Sequence, residues 1–132
     1  MNERKTNVLM LDDEKFLLSL YRVAFEKAGY HVASYYAADD ALQALRQGYH
    51  PDVILFDITM PNSRSGYEFL EMVQREKLGK HSLKIALTNE GQDGEIARMA
   101  ELGADAHFLK SSFIPSEIVD AVAQLLQERT RK

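Results

Sequence analysis

Side chains able to do chemistry sit at the ends of apolar runs in this 132-residue chain. Asp57 closes the run Val-Ile-Leu-Phe, and Asp12 and Asp13 follow Val-Leu-Met-Leu. Thr88 follows a run over residues 83–87, and Lys110 follows one over residues 106–109. A buried carboxylate costs free energy unless it is paired, so stability does not explain an acid at the end of a buried strand. A carboxylate at the mouth of a sheet is where ligands and metals are met. Three carboxylates in one crevice repel each other, and either some protonate or a cation neutralises them. Mg2+, or Mn2+ in its place, is the natural cation, because it is hard and takes oxygen ligands, often one or two carboxylates and a phosphate. Lys110 adds a point positive charge for a phosphoryl oxygen or for Asp57 itself, and Thr88 adds a hydroxyl donor. A carboxylate, a divalent metal, a lysine and a hydroxyl together describe phosphoryl transfer, in which positioning and charge neutralisation carry the catalysis.

The elements that must bring these residues together follow from periodicity. Residues 53–57 read as a strand buried on both faces, ended by Met60-Pro61 because proline offers no N–H to a ladder. Asn7 to Leu11 reads as a second strand. Phe16, Leu17, Leu20, Tyr21, Ala24, Phe25 and Ala28 then form one helical apolar stripe, stopped by Gly29. Residues 30–36 read as a short strand, and Asp39 and Asp40 offer an N-cap for a helix over 41–46. After a polar loop over 62–66, a helix spans 67–77 with Phe69, Leu70 and Val73 facing inward. A turn over 79–81, a strand over 83–87, a loop over 91–94 and a helix over 95–102 follow. The last unit is a strand over 106–109 and a helix that starts at Pro115, the position proline favours. Ile118, Val119, Val122, Leu125 and Leu126 give that helix its buried face.

Strict β-α alternation implies an α/β fold, a doubly wound parallel sheet with helices on both faces. In the flavodoxin-like strand order 2-1-3-4-5, the first and third strands are neighbours, and Asp12, Asp13 and Asp57 converge at the switch point. Taken singly, each residue has a plainer role. An Asp-Asp pair can cap the next helix, a threonine can serve a turn, and a lysine can be solvated. Their coincidence at the correct ends of successive units favours a site.

Composition bounds the function. The length suits one domain over residues 1–132, with a core over about 7–127. No apolar run approaches the roughly 20 residues that span a membrane, and residues 1–6 lack a signal-peptide core. Cysteine is absent, which fits a reducing cytoplasm. A net charge of −4 argues against nucleic-acid binding. His31, His50 and His81 show no ligand spacing.

On Leu-Asp-Asp at residues 11–13, Asp57 with Met60-Pro61, Thr88 at a strand end, and Gly103-Ala104-Asp105 leading to Lys110, the chain resembles the receiver domain of two-component response regulators from about Asn7 to Leu126. The resemblance implies that Asp57 accepts a phosphoryl group from a phosphohistidine on a sensor histidine kinase or histidine phosphotransfer protein. It implies that Asp13 ligates magnesium directly, Asp12 chiefly through water, and Thr59 through its backbone carbonyl. Lys110 then binds a phosphoryl oxygen and Thr88 swings in to bond another. The surface of the fourth and fifth β-α units changes and is read by a downstream output domain or protein, or by a second copy in a homodimer. Such a protein is a phosphoacceptor that assists its own phosphorylation and dephosphorylation, not a dedicated enzyme. No effector domain follows the last helix, which fits a stand-alone receiver or a fragment of a larger regulator.

The chain departs from the family pattern in several places. His107 stands where the family's switch aromatic falls, three residues before the lysine. Ser111 replaces a proline usually in cis, so a trans bond or an altered loop is expected. Residues 62–66 and 112–115 run one residue long. Asn89 is larger than usual, and Thr59 and Glu90 flank the approach of hydrolytic water. These departures keep open a phosphorylation-independent interaction module. A magnesium-dependent phosphohydrolase is a third alternative, disfavoured because such enzymes place an acid where Thr59 stands.

Overall fold

The computed structural model describes residues 5–61, 63–89 and 93–130. Its elements alternate: β1 (Asn7–Leu11), α1 (Lys15–Lys27), β2 (His31–Tyr35), α2 (Ala38–Arg46), β3 (Val53–Asp57), α3 (Gly66–Arg75), β4 (Leu83–Thr88), α4 (Asp93–Glu101), β5 (Ala106–Leu109), a 3-10 turn (Lys110–Ser112) and α5 (Pro115–Thr130). All strand pairs are parallel and the sheet order is β2-β1-β3-β4-β5, as expected.

The period of two along each strand divides the core into two layers. Leu9, Leu11, Ile54, Phe56 and Ala86 pack with buried residues of α2, α3 and α4. Val8, Met10, Val53, Leu55, Ile85 and Leu87 pack with Leu18, Tyr21 and Phe25 of α1 and with Ile118, Val119 and Val122 of α5. Phe69, Leu70 and Val73 face inward as the spacing required.

Several boundaries move, each for a physical reason. The stripe on α1 is turned from the expected one. Leu18 is buried, whereas Phe16 is 78% exposed and Leu20 also faces solvent. The α1 N-cap is Glu14, so the plainer role of the Asp-Asp pair as a helix cap is not the one found. Helix α2 starts at Ala38, not residue 41, and its N-cap is Ala37, which offers no side-chain bond; Asp39 and Asp40 lie in the first turn. The missing cap comes from elsewhere: Ser63 Oγ accepts the Ala38 N–H at 2.9 Å. Helix α3 begins at Gly66, behind a capping box of Ser65 and Glu68, and ends at Arg75. Past its end Lys77 takes a left-handed φ of 58°, a conformation uncommon outside glycine. Asp93 and Gly94 belong to α4, not to the loop before it. Asn62, Glu90, Gly91, Arg131 and Lys132 lie outside the described residues. No helix among the described residues is long and apolar enough to cross a membrane.

Candidate functional site

Strand register brings the candidate residues to one edge. Leu11 pairs with Phe56, so Asp12 and Asp57 each stand one residue beyond the same rung. Asp57 pairs with Leu87, and Thr88 pairs with Leu109, so Lys110 stands one residue beyond the rung that holds Thr88. Asp12 and Asp57 are 1% and 2% exposed, Thr88 is buried, and Asp13 is half-buried. Asp12, Asp13 and Asp57 each offer a carboxylate oxygen, and these oxygens lie within 4.8 Å of one another.

Lys110 ties the edge together. Its Nζ donates to Asp12 Oδ2 at 2.8 Å and lies 3.4 Å from Asp57 Oδ1. Burial pushes the ammonium's pKa down, but the two carboxylates outweigh burial and hold it above its usual range. Asp57 moves the other way. Desolvation, then the charge of Asp12, push its carboxyl up to about 6, against the opposing pull of Lys110 and a hydrogen bond from the Thr59 N–H. That N–H donates to Asp57 Oδ1 at 3.3 Å. Asp12 is further held by the Glu14 N–H, which donates to its Oδ1 at 2.9 Å.

The loop after Asp57 closes on itself tightly. The Gly66 N–H donates to the Ile58 carbonyl at 2.8 Å. A Cβ at Gly66 would run into the Asp57 carbonyl and lie 2.6 Å from the Ile58 Cα. Only glycine brings α3 this close to the end of β3. Thr59 is exposed on this loop, and His107 is half-buried on β5, opposite Ala86. The Lys110–Ser111 bond is trans, since no cis peptide occurs among the described residues, and Lys110 opens a 3-10 turn there.

The donor set offered by side chains is carboxylate oxygen alone, without nitrogen or sulfur. It fits a hard divalent cation such as Mg2+ or Mn2+. Asp12, Asp13 and Asp57 would hold it, with the Thr59 carbonyl nearby in sequence.

The profile of the response regulator receiver domain matches residues 8–123. The chain belongs to the response regulator receiver family. The receiver is 30% identical over 121 residues to the chemotaxis protein CheY of Halobacterium salinarum, covering 90% of this chain and 95% of that one. It is 28% identical over 109 residues to the polar-differentiation response regulator DivK of Brucella ovis, covering 83% and 87%. Among solved structures, a CheY-like receiver domain protein from Methanospirillum hungatei superposes with a TM-score of 0.85 at 23% identity, covering 97% of this chain and 98% of that one. CheY4 of Vibrio cholerae superposes with a TM-score of 0.82 at 25% identity, covering 92% and 98%. The receiver is thus of the CheY and DivK type, a module of two-component signalling.

Three features of the edge were not drawn from the sequence. The contact of Lys110 with Asp12 is closer than its contact with Asp57. The fit of Gly66 against β3 depends on two elements meeting. The bonds from Ser63 and Arg64 to α2 join segments some 25 residues apart. The one available sequence signal was Ala37, a poor N-cap, which leaves an N–H that must find a partner elsewhere.

Proposed function

We propose that this receiver takes a phosphoryl group onto Asp57 from a phosphohistidine and signals the modified state to a partner. One observation carries the reading most: Asp57 is a buried carboxylate that shares a lysine, Lys110, with a second buried acid, Asp12, at the C-terminal edge of the sheet. An Asp57 oxygen attacks phosphorus, the P–O bond forms, and the P–N bond breaks. The histidine nitrogen keeps the electron pair and takes up a proton. Asp12, Asp13, Asp57 and the Thr59 carbonyl would hold a divalent cation, which would supply positive charge to the transferring oxygens. Lys110 exchanges its carboxylate partners for a phosphoryl oxygen, and the Thr88 hydroxyl bonds another. His107, half-buried beside them on β5, takes the place of the switch aromatic. The α4-β5-α5 surface then shifts its population between two states and is read by an output domain, an output protein or a second copy.

The phosphodonor, a sensor histidine kinase or a histidine phosphotransfer protein, approaches over the exposed apolar face beside the edge. Phe16, Leu20 and Val23 of α1 and Ile114 before α5 all stay exposed. Leu20 and Val23 line a groove of about 500 Å³ between the two helices, opposite Pro115 and Val119. Exposed apolar patches of this kind mark interaction surfaces. The setting is the cytoplasm, and the domain works as a single module.

Incubation with a small phosphodonor and Mg2+ tests the reading. Label is expected on the wild type and none on Asp57→Asn; label retained by Asp57→Asn overturns the assignment. If beryllofluoride with Mg2+ leaves the amide NMR spectrum unchanged, the phosphorylation-independent module takes precedence. Steady turnover of a phosphate ester would instead favour the phosphohydrolase.

A further inference from the structure

Helix α2 lacks a cap of its own, because Ala37 is its N-cap residue and has no side-chain acceptor. The Ala38 N–H instead donates to Ser63 Oγ, in the loop that follows Asp57. Arg64, the next residue, donates from Nε to Asp39 Oδ1 at 2.7 Å. Asp39 lies in the first turn of α2, where a negative charge already complements the helix dipole. Two successive loop residues therefore fasten this loop to α2. On its own side the loop is closed at Met60 O–Ser63 N, 3.1 Å, and at Ile58 O–Gly66 N, 2.8 Å. Thr59 lies between these ties and the Asp57 carboxylate that its own N–H reaches.

We propose that Ser63 and Arg64 are positioning residues. By holding the loop to α2 they fix where Thr59 sits beside Asp12, Asp13 and Asp57, and so set the affinity of the edge for a divalent cation. The inference rests on the proposed function, in which the Thr59 carbonyl is a ligand. A backbone ligand is only as good as the order of its loop, because any disorder left in the free state is lost on binding and weakens it. The hydroxyl should matter more than the guanidinium, because Arg64 and Asp39 form an exposed ion pair, a kind that contributes little by itself.

The test is titration of the full chain with MgCl2 by calorimetry and with MnCl2 by paramagnetic broadening of amide signals near Asp12, Asp13 and Asp57. Ser63→Ala is expected to weaken both affinities about three- to tenfold, and Ser63→Thr to restore them. Arg64→Ala should weaken them by about twofold or less. Ser63→Ala also uncaps α2, so thermal stability falls with it. A local cap separates the two effects: in Ser63→Ala with Ala37→Ser, stability should return while cation affinity stays weak. The proposal is overturned if affinity recovers together with stability, or if it never falls in Ser63→Ala. A wild-type chain that takes up neither ion overturns the reading beneath it, and the proposal with it.

Discussion

Every residue of β3 is buried, whereas every residue of β5 is only half-buried. Asp57 belongs to the first strand, in the middle of the sheet; Lys110 follows the second, at its edge. Asp57 thus closes the most deeply buried strand, whereas Lys110 follows a half-buried edge strand and carries its side chain inward, where it is 8% exposed. A central strand holds its carboxylate at a cost of desolvation that Lys110 and the Thr59 N–H only partly offset, and the raised pKa of Asp57 registers that cost. An edge strand bordered by a 3-10 turn opens at lower free energy than the core does. The comparison separates the two halves by packing: β1 and β3 form the more deeply buried cradle, and β5 is the more exposed side.

Experiments can break this division, and the largest effect concerns the cradle. Gly66→Ala forces a Cβ into the end of β3 and is expected to destabilise the fold by several kcal/mol. A denaturant midpoint unchanged by Gly66→Ala would mean that α3 is not locked to β3. Next comes the pH dependence of Asp57. Its carboxyl titrates near 6 in the fold and near 3.8 when unfolded, so between those values the folded state binds more protons. Stability therefore falls as pH rises from about 4 to about 6, by up to about 3 kcal/mol, and stays lowered above that window. In chelator, Asp57→Asn should be more stable than wild type at pH 7 and equal to it below pH 4. A constant difference across the range would remove desolvation as the cause.

Lys110 sharpens the boundary between the halves. Lys110→Met leaves Asp12 and Asp57 facing each other without their shared ammonium. Without a divalent cation it should cost about 1–3 kcal/mol at neutral pH, and Mg2+ should recover most of that loss in a thermal melt. The smallest effect belongs to the edge. His107→Phe should change stability by less than about 0.5 kcal/mol, as for a half-exposed position outside the core. It should nonetheless change the amide shifts of α4 and α5 when beryllofluoride binds. Equal responses in the two proteins would take position 107 out of the switch.

The fold and the acids were legible in the sequence because they rest on signals that repeat. Apolar strands of period two, glycines after helices and Pro115 at a helix start each report locally on one element. What failed to read out depends on two distant segments meeting. Phe16 and Leu18 both suit an apolar stripe, and only the packing of α1 beneath the sheet decides that Leu18 is inside. Asp39 has the right type for a cap, yet Ser63, far along the chain, provides it. The closer contact of Lys110 with Asp12 than with Asp57 likewise joins positions far apart in the chain.

The tight seat of Gly66 bears on how this chain should be aligned with its relatives. Residues 57–60 are fixed by the end of β3 and by the bond from Gly66, and residues 65–68 by the capping box. A difference in length between family members has one stretch left to occupy, residues 61–64. Within this loop, a gap placed outside that stretch would shift Gly66 off the Asp57 carbonyl.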